Sequence, residues 1–425
     1  MDWLTIFAQV LAILAVFYFY IKHKLSYWSK KGVPHLEGNP LTLGINFKLF
    51  SQGPEIYTKD QFERCGKVYG VASAFRNVLV VNDAELIKQI MIKDFHLFMD
   101  KPTQGTWDDM WNLNLFMSGG DAWKRIRTIV SPTFTSGKLR AMHSVMHNCV
   151  KMLVNHLENV ANPSAEVNIK EVITGFTIDV IAIFLMPMWF NNLLGIRSQF
   201  DPEHFDFFGN LVKEIVKQRK SGQKRGNDFV QLLMDAYATD NELKELNFEK
   251  LIADMDKDEN TSFNEKKRLE SSKNSLSDSE IAAQFETTSS TITHLLYELA
   301  LNPTVQERLR EDLVQALGDL DVTSEEYFDV VMNGLPYLEA VTKETLRKYP
   351  PLIRLERRLS ADSYKLNGIP IEKSTNVVVS SYAVHHNAEY YPNPESFDPE
   401  RFMPENKHKL VPYTYLPFGT GTFFT

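Results

Sequence analysis

The stretch from Trp3 to Ile21 carries no charge, and outside its aromatic cluster Thr5 and Gln9 are its only polar side chains. A backbone in lipid must satisfy its own hydrogen bonds, so such a run is most stable as a helix. As a helix it spans about 28 Å, close to one bilayer core. Lys22, Lys24, Lys30 and Lys31 follow it and Asp2 precedes it. That bias places the bulk of the chain on the cytosolic side. A cleaved signal peptide is the rival reading. A basic leader segment is missing, and Phe17-Tyr-Phe-Tyr20 fits an interfacial aromatic belt better than a cleavage site. Residues 1–24 are therefore expected to form a single-pass anchor and the start of its linker, and residues 25–425 one domain.

A chain of 425 residues with 44% hydrophobic and 24% charged content can bury a substantial core. The formal charge of −8 implies no dominant basic face, which argues against a nucleic-acid partner. Cys65 and Cys149 are the only cysteines, too few for a disulfide framework and consistent with a reducing compartment. Both read as packing residues, Cys65 in a loop and Cys149 on a helix.

Val68 to Ser73 and Val78 to Val81 read as a hairpin. Asn82 with Glu85 three residues on reads as the capping box of a helix over 83–92. Three- and four-residue apolar spacing predicts helices over 121–130, 138–160, 166–185, 204–219 and 227–237. Residues 216–279 are polar and read as solvated surface. Ser277 to Glu280 opens a long helix ending near Leu301, Asn302-Pro303 caps the next as far as Gly318, and Leu335-Pro336 opens another ended by Tyr349-Pro-Pro351. Strand-like pieces follow at Ser363 to Ile369 and Asn376 to Ser380, then a proline-rich meander. The predicted class is mainly α with a small β portion.

Each chemistry-bearing cluster has a bland reading beside the functional one. Glu344 and Arg347 share a helix face, which alone suggests an exposed ion pair; Arg401 would make it a buried triad. Trp123 and Arg127 lie one helical turn apart, and Arg354 and Arg357 follow a Pro-Pro break; indole and guanidinium donors of this kind clamp carboxylates or simply pack. Glu286 beside Thr287 is either a proton-delivery pair or part of an ordinary helix. His385 and His386, taken as strand neighbours, point to opposite faces and cannot share a metal. Phe418-Gly-Thr-Gly421 is a tight glycine turn that permits close approach to a flat group.

In this order, Trp123-x-x-x-Arg127, Glu286-Thr287, Glu344-x-x-Arg347, Arg357, Pro399-Glu-Arg-Phe402 and Phe418-x-x-Gly421 resemble the microsomal cytochrome P-450 haem-thiolate monooxygenases. Ser131 to Lys138, Tyr337 to Glu344 and Ser381 to His385 are similar to the vertebrate family-three enzymes and their invertebrate relatives. The resemblance implies a cytochrome P-450 fold, haem b as cofactor and insertion of one oxygen atom into a small apolar substrate. Electrons would come from an NADPH-dependent flavoprotein reductase at the endoplasmic reticulum membrane. It also implies that Trp123, Arg127 and Arg357 hold the haem propionates and that Phe418 and Gly421 shape the haem turn. Glu286 and Thr287 would deliver protons, and Glu344, Arg347 and Arg401 would form a structural triad.

Three departures stand against that pattern. Phe423 and Thr425 occupy the places of the turn's arginine and iron-ligating cysteine, so no metal ligand is assigned. Ala283-Gln284 replaces an Ala-Gly pair, in a helix shortened by about two turns. Asp179 to Ala182 runs directly into Ile183 to Pro187, where relatives carry a further segment. The chain is expected to lack its C-terminal end and two internal segments. The alternative this raises is a non-catalytic, truncated or mis-spliced membrane protein without the haem thiolate.

Overall fold

Asn376–Val379 (β7) is buried at every position, as a strand covered on both faces must be, and its three valines suit that place. It pairs in parallel with Asn77–Val81 (β3) and antiparallel with Leu355–Arg358 (β4). Val68–Ala72 (β2) pairs antiparallel with β3, and His35–Leu36 (β1) lies parallel to β2. The result is a mixed five-stranded sheet in the order β1-β2-β3-β7-β4. Ser363–Leu366 (β5) and Ile369–Glu372 (β6) form a separate hairpin.

The computed structural model describes residues 3–102, 119, 120, 123, 127, 136–160, 167–185 and 287–420. The chain falls into two compact units. The first comprises Met1–Pro102, Leu346–Phe397 and Glu405–Thr425, and holds both sheets; the second comprises Thr103–Thr345 and Asp398–Pro404. Among the described residues the chain is mainly helical with a smaller sheet portion.

The first unit opens with the helix Trp3–Leu25, whose outer residues are exposed while Ile21 and Leu25 are buried. Trp28 follows at full burial, and its Nε1 donates to Val71 O at 3.2 Å. Its ring fills the space above Gly70, where a Cβ would stand 2.1 Å from Trp28 Cγ. Lys31 bonds the Tyr27 hydroxyl, Pro370 O and Glu372, so the linker is also fastened to the β5–β6 hairpin.

The second unit packs helices Ser136–Val160, Ile169–Leu185, Thr287–Leu301, Pro303–Leu317 and Glu325–Asn333. Arg140 pairs with Asp329 at 2.5 Å and lies over the Phe328 ring, holding the first of these helices to the last.

Several expectations are corrected here. The helix expected over 83–92 is present, Ala84–Lys88 continuing as a π segment Gln89–Lys93, but its cap is Asp83, whose carboxylate accepts from the Glu85 and Leu86 amides. Asn82 is instead buried and accepts from Ser380 N at 3.0 Å, tying the end of β3 to the end of β7. The piece from Ser363 to Ile369 is not one strand. Asn367 and Gly368 have φ of 46° and 79° and turn β5 into β6. Asn302 does not cap the helix Pro303–Leu317 with its side chain; its amide donates to Glu298 of the preceding helix. Cys65 ends the helix Pro54–Cys65 rather than lying in a loop. His385 closes the short helix Ser381–His385 rather than sitting on a strand. The predicted helices over 204–219 and 227–237, the start near Ser277 and the Ala283-Gln284 departure lie outside the described residues, whereas the 182/183 junction falls within the continuous helix Ile169–Leu185.

Candidate functional site

In the first unit, β4 alternates buried Leu355 and Arg357 with partly exposed Glu356 and Arg358. This two-residue alternation turns Arg357 inward. Its neighbour Arg354 stays half exposed and pairs with Glu356 at 2.7 Å, so only Arg357 of the two is an interior cation. Arg358 pins a second segment against the strand: its N donates to Asp100 O at 2.8 Å and its guanidinium to Pro102 O at 2.7 Å. Between those contacts lies Lys101, buried beside Arg357. Burial pushes the Arg357 guanidinium down to about 9. Burial, and secondarily the charge of Arg357, holds the Lys101 ammonium well below its ordinary range. Two basic side chains buried side by side offer donors of the kind that bond a carboxylate.

The glycine turn belongs to the same unit. Gly419 adopts φ of 97°, a conformation that side chains disfavour, and its N donates to Leu416 O at 3.2 Å. Phe418 is exposed. Gly421, Phe423 and Thr425 lie outside the described residues. Arg347 is fully buried and donates to the carbonyls of His385 at 2.9 Å and Pro394 at 2.8 Å.

In the second unit, Trp123 is fully buried and helical. Arg127, one turn on, has its guanidinium pKa lowered by burial. Thr287 begins the helix Thr287–Leu301, while Glu286 lies outside the described residues. Glu344 is fully buried and accepts from Asp398 N at 2.9 Å. Asp398 caps the turn Pro399–Phe402, which sets Arg401 Nε 3.5 Å from Glu344 Oε1. Burial at Glu344 and Arg347 excludes the exposed surface pair that their spacing alone suggests. The structure thus joins Lys101 to Arg357 in one unit and Glu344 to Arg401 in the other.

Lys101 was missed by sequence reasoning. The available signal was a lysine following Asp100 at the end of the mostly apolar stretch Phe95 to Met99, held extended by the proline after it. Among the described residues no group of three or more His, Cys, Asp or Glu side chains is arranged to hold a metal ion.

The sequence profile described as "Cytochrome P450" matches residues 34–201 and 184–422. Cytochrome P450 3A41 of Mus musculus is 31% identical over 453 residues, covering 96% of this chain and 84% of its own. Cytochrome P450 6k1 of Blattella germanica is 31% identical over 452 residues, covering 95% and 83%. Probable cytochrome P450 6w1 of Drosophila melanogaster is 30% identical over 463 residues, covering 96% and 84%. The chain belongs to the cytochrome P450 family. Its relatives are haem monooxygenases, use redox partners and take small hydrophobic substrates, and they do not favour the non-catalytic alternative.

Haem is the family's cofactor. The fit of this chain to it can be judged on the propionate side. Buried Lys101 and Arg357, both opposed by burial in their charged forms, match a carboxylate of that group well. In the second unit Trp123 is buried and Arg127 partly buried.

Proposed function

We propose that this chain is built as a haem-dependent monooxygenase acting on apolar small molecules such as xenobiotics, steroids or fatty acids. Its electrons come from an NADPH-dependent flavoprotein reductase, and the helix Trp3–Leu25 anchors it in the endoplasmic reticulum membrane. The observation that carries this reading is the buried Lys101–Arg357 cation pair in a chain of this family. Haem, when bound, supplies dioxygen activation and oxygen-atom transfer. Lys101 and Arg357 would neutralise propionate charge in the first unit, and by family resemblance Trp123 and Arg127 take the same role. Glu286 and Thr287 move protons at the start of the helix Thr287–Leu301. Glu344 and Arg401 hold the meander to the helix Pro336–Lys348, and Arg347 holds its end to three backbone carbonyls.

The oxygen-insertion step turns on the ligand position, which register gives to Thr425. A neutral hydroxyl is a poor iron ligand and donates little electron density compared with a thiolate. The deciding experiment loads the full chain with haem and reduces it under carbon monoxide. We expect haem uptake without a thiolate-type Soret shift, and a shift in Thr425→Cys together with reductase-dependent oxygenation of apolar probes. A thiolate-type shift in the unaltered chain overturns the register assignment of Thr425. Failure of both chains to take up haem overturns the haem reading itself.

A further inference from the structure

His385 is fully buried and joins three segments of the first unit. Its ring Nδ1 lies 2.9 Å from Arg347 O, and its Nε2 lies 2.7 Å from Leu416 N. A carbonyl only accepts and a backbone N–H only donates. The ring is therefore neutral, with its proton on Nδ1 and its lone pair on Nε2 used by Leu416. Arg347 returns a bond from its guanidinium to His385 O. The ring also stacks on Tyr415, with centroids 5.8 Å apart, and meets the edge of Tyr391. The other backbone group of Leu416, its carbonyl, accepts from Gly419 N at 3.2 Å. Leu416 thus has its N–H held by His385 and its C=O held by the glycine turn.

We propose that His385 is a positioning residue for the glycine turn, holding Leu416, and through it Gly419, in the register that the turn needs to meet its cofactor. The proposal rests on the haem reading of that turn. The device works only with a neutral ring, because protonation of Nε2 removes the acceptor that Leu416 N uses and sets two donors against each other. The charged and titratable groups facing the ring are Arg347, from the helix Pro336–Lys348, and His386, from its own segment; Tyr391 and Tyr415 complete its surroundings. Burial first, and then the charge of Arg347, pushes the ring down to about 3, which keeps it neutral where an exposed histidine would titrate.

Two substitutions separate the two bonds. In His385→Asn the amide nitrogen can replace Nδ1 toward Arg347 O, but nothing reaches Leu416. In His385→Gln the amide oxygen can replace Nε2. Hydrogen exchange is followed by mass spectrometry or NMR on the full chain in detergent, at Leu416 and, for reference, at Leu79 in β3. We expect exchange at Leu416 to rise about tenfold or more in His385→Asn, with Leu79 unchanged, and to stay within about threefold of the parent in His385→Gln. Opening of the turn frees the ring to bind a proton at its ordinary pKa. The protection factor at Leu416 should therefore be about tenfold lower at roughly pH 5.5 than at roughly pH 7.5 in the parent, and flat in His385→Gln. This pH comparison stands even where His385→Asn does not fold. Equal pH slopes in parent and His385→Gln, or undiminished Leu416 protection in a folded His385→Asn, overturn the proposal. If His385→Asn loses protection at Leu416 but retains added haem as well as the parent does, the haem reading of the turn fails and the backbone role of His385 stands.

Discussion

Lys101 sits where burial and the neighbouring Arg357 both oppose its charged form. Its folded pKa lies below its unfolded value, so between the two the unfolded chain binds more protons and stability rises with pH. Lys101→Met should therefore raise the stability of the haem-free chain at neutral pH, by about 1–3 kcal/mol in urea melts. The same substitution should weaken haem retention about tenfold, measured as the rate of haem transfer to an acceptor apoprotein. Equal signs on both readouts would remove Lys101 from the cofactor site. His385 and His386 give a second pH dependence. Burial lowers them to about 3 and about 4, so their contribution is complete above the ordinary histidine range and is lost as pH falls. The histidine contribution to the unfolding free energy should be flat near neutrality and fall by about 1.4 kcal/mol per pH unit for each histidine between roughly pH 6 and 4. A flat profile down to about pH 5 would show that neither ring is neutralised by folding. At this scale the sequence revealed residue types but not burial. Arg354 and Arg357 look alike on the page, and the pleat of β4 alone separates a surface pair from an interior cation.

The linker after the anchor helix is an element with a defined seat. Trp28 lies over Gly70 of β2, and a Cβ there would meet the rigid indole at 2.1 Å rather than the end of a flexible chain. Gly70→Ala should cost about 1–3 kcal/mol through overpacking, with a lowered thermal midpoint and a red-shifted emission component from Trp28. An unchanged midpoint would mean that the indole moves aside freely. Helices with strong punctuation were legible from sequence: Pro336–Lys348 lies between two proline signals, and Pro303–Leu317 starts at Pro303. The β2–β3 hairpin was legible from its paired valine-rich runs. Short elements were not. The helix Ser381–His385 is five residues long, too brief for periodicity to report, and it exists because Ser380 caps it with a bond to Ala383 N. The β5–β6 turn carried the signal Asn367-Gly368, which favours left-handed backbone at both positions and could have split the predicted strand. β4 went unseen because two arginines and a glutamate in four residues mask its inward pair.

Across the whole molecule, the membrane reading is the one most open to direct trial. The helix Trp3–Leu25 includes a 21-residue stretch, Thr5–Leu25, whose most apolar 18-residue window has a mean hydropathy of 1.8. It joins the first unit without a slack tether, because Leu25 packs against Gly38 and Gly44 and Trp28 is seated on β2. Just beyond this junction the first unit exposes Leu41, Phe47 and Phe75. Leu43 O accepts from Ala74 N at 2.9 Å, which brings the loop bearing Leu41 and Phe47 to the β2–β3 turn bearing Phe75. On the proposed membrane reading, continuity with the anchor would bring this apolar face to the bilayer surface. Three such side chains contribute a few kcal/mol at about 25 cal/mol per Å² buried, well short of a spanning helix. Deleting residues 1–21 should therefore weaken membrane association without abolishing it. Flotation with phospholipid vesicles should leave a bound fraction that does not disappear at high salt, since the attraction is apolar. Replacing Leu41, Phe47 and Phe75 by serine in the deleted chain should then release that fraction. Complete release by the deletion alone would show that the anchor is the chain's sole hold on the bilayer. Retention after the serine replacements would place the second contact on another face.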